Sequence, residues 1–344
     1  MYNDEGLMLR SDGRVGNPVR CLVLDDWHDA DASRIEAEAA RQADSLPLTF
    51  GIATRRPPDR LRPLLQALTL TLAAPRVSAE ARELVSVDDP LVSLDELVRL
   101  VERRPRASLA LGQLLRQTPR LSTAQGLAAE AAAYSMLLGG TEFASWLADR
   151  GTPQAYREEG PLVRVRREND RLSLLLDRPH RRNALSFRMR EELFEALEVA
   201  LLDGTVDRIE LAGAGPVFCS GGELAEFGTA TDLVAAYLVR LERAPWRLID
   251  RMRDRVTVRV QGAAVGAGVE MAAFAGRLVS SPGAFFQLPE VAMGLVPGAG
   301  GTVSVPRRIG RWRAAWMMLS GARVGAVTAR RWGLVDEIDD GHER

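Results

Sequence analysis

The sequence predicts an α/β protein of two parts: a leading segment of strands and helices, then a core of strand–turn–helix units. Three observations carry this. Apolar runs of strand length alternate with amphipathic stretches of helical length. In the second half, the strand candidates Ile209–Leu211 and Val256–Val260 each lead into a glycine-rich segment. A polar stretch from Arg150 to Gly160 separates the parts, giving expected boundaries of 1–150 and 160–344.

In chain order, residues 1–17 are polar with scattered Gly and Pro and read as a loose start. Cys21-Leu22-Val23-Leu24 is a strand candidate, Asp29 to Ala43 a polar helix, and Pro47 to Ala53 a second strand. Pro57 to Pro63 is expected to be a turn-rich connector before a third strand at Leu68 to Leu72. From Ser93 the pattern becomes helical. Ser93-Leu94-Asp95-Glu96 and Ser122-Thr123-Ala124-Gln125 both have the spacing of a capping box. Gly139-Gly140 stops the alanine-rich helix after the second box, and Glu142 to Leu147 gives a short last one.

In the core, Leu162–Arg166 and Leu172–Leu176 read as strands hinged at Asn169-Asp170. Ser186 caps an amphipathic helix that runs to Leu202 and ends at Gly204. A strand entering a glycine turn and then a helix exposes N–H groups at the helix start, which suits an anionic oxygen.

Composition excludes several classes. Hydrophobic content of 46% and charged content of 26% describe an ordinary globular protein. The formal net charge is −1, and all 45 basic residues are arginine. Nothing argues for a nucleic-acid groove or an anionic-membrane face. Cys21 and Cys219 are too far apart for a metal pair, and His28, His180 and His342 fit no metal or catalytic pattern. No metal is expected. With no signal-like start and no long apolar run, the expected location is the cytoplasm.

Chemistry concentrates in three segments. They are Phe218-Cys219-Ser220-Gly221-Gly222-Glu223-Leu224, the run Gln261 to Glu270, and Leu288-Pro289-Glu290 leading into Pro297 to Thr302. Turns of small residues can aim two N–H groups at one oxygen. Two carboxylates can then move protons about the adjacent carbon. Taken singly, Glu270 could be a dipole-stabilising acid in a first helical turn, and Glu290 a loop or helix-start residue. Gly298 to Gly301 reads as a helix-start turn, since no Gly-Lys-Ser/Thr follows. Cys219 reads as a small buried filler. Trp312, Trp316, Met317 and Met318 read as core.

In order and spacing these segments, together with Arg181-Arg182-Asn183-Ala184-Leu185 and Gly333-Leu334-Val335-Asp336, resemble the crotonase (enoyl-CoA hydratase/isomerase) superfamily over residues 160–338. The resemblance implies a ββα superhelix core and an acyl-CoA substrate. It places the oxyanion-hole amides on Gly222 and Ala267 and the acid/base glutamates on Glu270 and Glu290, twenty residues apart as in hydratases. It places substrate contacts at Arg181, Arg182, Ala184, Ser220, Glu223, Leu224 and Gly266, with the two arginines near the CoA phosphates or solvated at the surface. Phe227 to Trp246 are expected to shape the acyl pocket. No cofactor is implied beyond the CoA thioester itself, and a homo-oligomer, trimer or hexamer, is expected.

Two positions depart from the family pattern: Glu223 stands where Asp is usual, and Ala267 interrupts a usual glycine triplet. An alanine keeps its N–H, provided the backbone there does not need φ > 0. Only residues 339–344 follow Ile338, where the family continues into covering helices. Ser93 to Leu147 is similar to those helices, including Gly126-Leu127, Glu130, Tyr134 and Thr141-Glu142-Phe143. Two readings follow for the first half: a permuted, catalytically empty remnant whose helices cover the core, or an unrelated helical domain. The expected activity is hydration of a 2-enoyl-CoA. The alternatives are isomerisation, thioester or C–C hydrolysis, decarboxylation, or a non-catalytic acyl-CoA-binding subunit.

Overall fold

The computed structural model describes residues 8–77, 81–152 and 158–339. The first part of the expected loose start, the centre of the linker (153–157) and the residues after Asp339 lie outside them.

A two-residue ladder of β1 (Met8–Leu9) and β2 (Val15–Gly16) precedes a four-stranded parallel sheet. Its strands are β3 (Val19–Val23), β4 (Leu48–Ala53), β5 (Leu70–Ala73) and β6 (Leu84–Ser86), in sequence order. β4 and β5 are buried along their whole length, as expected for parallel strands covered on both faces. Leu48, Phe50, Ile52, Leu70 and Leu72 face the main core. A satellite cluster lies opposite, around Ile35 and Ala39 of α1 (Ala32–Ala43) and Leu64 and Leu65 of α2 (Arg62–Ala67). Part of the expected connector at 57–63 is thus helical: a 3-10 turn at Asp59–Leu61 runs into α2, which tolerates Pro63 in its first turn.

The next helix also begins earlier than its serine suggests. α3 (Pro90–Arg103) starts at a proline, and Asp89 caps it by accepting the N–H groups of Leu91 and Val92 at 2.9 and 3.1 Å. Proline fits the first helical position and aspartate is a strong cap, so Ser93 falls inside the first turn. Arg104 breaks the run before α4 (Pro105–Gln117), because a residue preceding proline is driven out of the helical region. The box at Ser122 forms in full, with reciprocal bonds between Ser122 and Gln125 opening α5 (Thr123–Leu138). α6 (Thr141–Arg150) follows the glycine pair.

The second half winds as a spiral. β7 (Val163–Glu168) and β8 (Arg171–Leu176) form the expected hairpin, with Asn169 in the left-handed region at φ +54°. Ser186 caps α7 (Phe187–Leu202), and β9 (Arg208–Gly213) pairs in parallel with β8. Then come α8 (Leu233–Glu242), α9 (Pro245–Arg251), β10 (Val256–Val260), β11 (Ala263–Val265) and α10 (Ala267–Ala272). β12 (Arg277–Ser280), β13 (Phe285–Gln287), α11 (Gly301–Ile309), α12 (Arg311–Ser320), β14 (Val324–Gly325), α13 (Ala326–Trp332) and β15 (Glu337–Ile338) complete the chain.

Each turn of the spiral lays one strand in a six-stranded sheet and the next in a smaller one. The larger sheet runs β15-β12-β10-β9-β8-β7, the smaller β11-β13-β14. Parallel bridges Cys219–Ala264 and Leu185–Gly222 carry the smaller layer back to the earlier turns. That stacking brings the two glycine segments side by side.

One hydrophobic core runs through both halves, from Val19 to Val335. α12 packs on α3, α4, β5 and β6, while α5 packs on α8 and α11. Met317 and Met318 are fully buried, and Trp316 meets Trp332 edge-on at 5.9 Å.

Candidate active site

The turn after Cys219 reverses at Gly221, whose φ of +94° only glycine adopts without strain. The turn after β11 reverses at Gly266, at φ +50° and ψ −122°. The two turns abut: a Cβ added to Gly221 would lie 3.8 Å from Gly266 Cα. Immediately beyond them stand Gly222 and Ala267. Ala267 is the first residue of α10, so its N–H has no intrahelical acceptor. Among the described residues, neither the Gly222 nor the Ala267 N–H is paired with an acceptor. Both residues line one cavity of about 630 Å³. Ala267 is helical, so the positive φ falls on Gly266 and the alanine is accommodated.

Glu270 and Glu290 line the same cavity and are almost fully buried. Glu270 Oε2 accepts the N–H groups of Ala299 (2.7 Å) and Gly301 (2.8 Å). Burial drives its carboxyl well above the usual range, reinforced by the charges of Glu290 and Glu130, while the two amides pull the other way. Glu290 lies against the second turn, where a Cβ on Gly266 would fall 2.6 Å from its Oε1. Its Oε2 is buried without a hydrogen-bond partner. Burial pushes this carboxyl up to about 8, and Glu130 adds to the shift.

A third acid belongs to the group. Glu130, on α5, accepts from Gly300 N (2.6 Å), Thr302 N (2.8 Å) and Thr302 Oγ1 (2.7 Å). Burial raises its carboxyl to about 7 against those donors. The sequence marks Glu130 only as part of a stretch similar to covering helices and gives it no chemical role. The available signal was an acid set among Leu127, Ala131, Tyr134 and Leu137 on the buried face of α5, since unpaired acids are rarely fully buried.

The cavity walls come from both halves. Tyr134 and Leu138 of α5 and Phe143 and Leu147 of α6 face Phe227, Leu233, Ala236, Val239 and Trp246. The segment expected to shape the pocket, Phe227 to Trp246, therefore supplies one wall. Cys219 is fully buried and its thiol is pushed up to about 12 by burial, so it is no nucleophile.

The other expected substrate contacts lie around this cavity rather than in its wall, except Glu223, which lines it. Glu223 is held by Arg178 (2.6 Å) and Arg181 (3.0 Å), which keep its carboxyl below the usual range against the opposing effect of burial. Arg181 is thus ion-paired. Arg182 is exposed in the left-handed region at φ +53°, and its carbonyl accepts the Ser220 N–H. Ala184 is buried and its carbonyl accepts from Arg178. Leu224 is exposed, with its carbonyl bonded to Arg150. Gly266 forms the turn behind Glu290.

Comparisons with known proteins agree on one family. Residues 167–343 match the family model described as enoyl-CoA hydratase/isomerase. The chain is 34% identical over 174 residues to the 2,3-dehydroadipyl-CoA hydratase of Escherichia coli (strain K12), covering 51% of this chain and 68% of that one. It is 39% identical over 165 residues to a probable enoyl-CoA hydratase of Rhodobacter capsulatus, covering 48% and 63%. The crystal structure of an enoyl-CoA hydratase from Thermoplasma volcanium GSS1 is similar at 30% identity and a TM-score of 0.49, over 53% of this chain and 73% of that one. The chain therefore spans between 63% and 68% of the length of the two sequence relatives.

Proposed function

The chain belongs to the enoyl-CoA hydratase/isomerase (crotonase) family, and on that premise we propose that it adds water across the double bond of a 2-enoyl-CoA thioester. The observation that carries this reading is the meeting, in one cavity, of two unpaired N–H groups and two buried carboxyls. The thioester carbonyl accepts from Gly222 and Ala267, which stabilise the charge that develops on oxygen as water attacks the β-carbon. One such donor is worth roughly 3–4 kcal/mol in the transition state.

Glu290, raised to about 8, retains a proton at neutral pH and delivers it to the α-carbon. Glu270 orients the water through Oε1, its other oxygen being tied to the amides of Ala299 and Gly301; because burial holds this carboxyl toward its neutral form, it takes the water's proton only in its ionised fraction. Those amides support the negative charge the base must carry. Residues 1–150 are the extension in this proposal, with α5 and α6 standing in for the family's covering C-terminal helices. A cytoplasmic homo-oligomer, trimer or hexamer, is the working assembly, and mass measurement in solution tests it.

The test of the chemistry is turnover. Purified protein is incubated with crotonyl-CoA and longer enoyl-CoA esters while loss of the conjugated absorbance is followed. Glu270→Gln and Glu290→Gln should each lower kcat by about 10²–10⁴. Unchanged turnover in both variants overturns the assignment. Binding of CoA esters without turnover would support a non-catalytic binding subunit instead.

A further inference from the structure

Arg240 projects from α8 into the cavity that holds the two acids. Its guanidinium carbon lies 4.2 Å from the centroid of the Tyr134 ring. The same ring touches the loop that holds Glu270: a Cβ on Gly298 would sit 2.5 Å from Tyr134 Cδ2, and the next residue, Ala299, donates to Glu270. Arg240, Glu270 and Glu290 thus line one cavity and share contacts through Tyr134 and its neighbouring loop.

The other charged groups in the wall are accounted for. Arg190 is paired with Glu191 at 2.8 Å, Glu223 with Arg178 and Arg181, and Glu226 accepts the Phe187 N–H at 2.7 Å. Arg240 differs. Its polar contacts are the carbonyl of Ala236 on its own helix (3.1 Å) and the Tyr134 side chain, both uncharged, and it forms no ion pair with a carboxylate among the described residues. Of the three buried acids, Glu130 is the one that feels the charge of Arg240, and its oxygens are already bonded to Gly300 and Thr302. The half-buried guanidinium shares its cavity with the apolar side chains of Leu138, Leu233, Val239 and Trp246, and a charge partly removed from water gains from an anion beside it. Its planar donors match a carboxylate.

We propose that Arg240 selects acyl groups ending in an anionic function, a carboxylate foremost, so that the substrate is the CoA thioester of an unsaturated dicarboxylic acid. This rests on the enoyl-CoA reading above and narrows its substrate class.

The experiment separates the two claims and the two anionic ends of such a substrate. Binding of saturated, unreactive CoA thioesters is measured by calorimetry, comparing a carboxylate-terminated acyl chain with an uncharged one of the same length. Binding of free CoA and hydration of the matching enoyl esters are measured beside it, in wild type, Arg240→Gln and Arg240→Lys. The wild type should favour the carboxylate-terminated chain by roughly ten- to hundredfold. Arg240→Gln should abolish that ratio, and Arg240→Lys should keep part of it. Equal binding of both chains by the wild type overturns the inference and leaves hydration intact. A preference without turnover of either ester supports the inference and sinks the hydratase reading. If Arg240→Gln weakens free CoA by the same factor as the acyl ester, the arginine serves the CoA phosphates and the inference fails. Unfolding of Arg240→Gln, visible by calorimetric melting, passes the decision to the lysine variant and the wild-type ratio.

Discussion

Glu130 and Glu270, 140 positions apart, share one run of backbone amides. The successive N–H groups of Ala299, Gly300, Gly301 and Thr302 go alternately to Glu270, Glu130, Glu270 and Glu130. One carboxylate thus clamps the loop from within the core and the other from the leading half. Carboxyls accepting several N–H bonds hold a loop tightly, so Glu270 and the loop that orients it form one rigid unit.

Replacing Glu130 tests that unit. Glu130→Gln turns one acceptor oxygen into a donor and leaves an amide of the loop facing it. Hydrogen bonds to a charged group contribute about 1.5–3 kcal/mol each, and in a domain of 150–250 residues each kcal/mol moves Tm by roughly 2–4 °C. The expected result is a lower Tm and a lower kcat with a smaller change in KM. Melting curves and steady-state kinetics check it. An unchanged kcat would show that the clamp does not position Glu270.

Protonation of Glu290 predicts two pH effects. As an acid, it must carry its proton, so kcat/KM should fall as pH rises through about 8. Its folded value lies above the reference of 4.5. The folded form therefore binds the proton more tightly, and the stability this gives is complete below pH 4.5 and lost as pH rises through 8. Glu290→Gln should lose the alkaline limb of activity. It should also melt increasingly above the wild type between pH 5 and 8.5, which scanning calorimetry at several pH values would record.

The oxyanion donors can be removed without changing side-chain chemistry. Proline suits the first position of a helix and has no N–H, so Ala267→Pro should fold and lose about 10²–10³ in kcat. Gly266→Ala probes the neighbouring acid instead: its Cβ would strike Glu290 Oε1 from a backbone at φ +50°. A displacement of that kind costs about a hundredfold in rate. Wild-type kinetics in Ala267→Pro would place the reacting carbonyl elsewhere, and in Gly266→Ala would show that the position of Glu290 is not critical.

Arg178 should matter for stability. It is buried between Glu223, the Ala184 carbonyl and Glu158. Arg178→Ala leaves Glu223 in a buried site with Arg181 and the Ala225 N–H as its remaining partners, and breaking such a pair costs about 3–5 kcal/mol. Denaturant unfolding would measure it, and a loss under 1 kcal/mol would contradict the arrangement.

Much of this molecule was legible in its sequence where local chemistry dictates geometry. The Asn169 hairpin, the Ser122 capping box and the strands entering the glycine turns form where expected. The four residues Gly222, Ala267, Glu270 and Glu290 line one cavity because the spiral stacks their segments in adjacent turns. Other features depend on partners distant along the chain. Arg181 and Arg182 differ by an ion pair to Glu223, forty-two residues from Arg181. Glu130 acquires its meaning from amides 170 residues away. Ser93 lost to Asp89 locally, because Pro90 offered the better first position.

The cavity's two walls also have a genetic meaning. The acids and the oxyanion turns lie between residues 222 and 290, whereas Tyr134, Leu138, Phe143 and Leu147 lie well upstream. Substitutions at Tyr134, Leu138, Phe143 or Leu147 can reshape one wall of the acyl cavity while Gly222, Ala267, Glu270 and Glu290 are inherited unchanged. For that wall, variation in the tail and constancy of the reacting groups fall on different codons, whereas Arg240 and Glu130 tie the two stretches together.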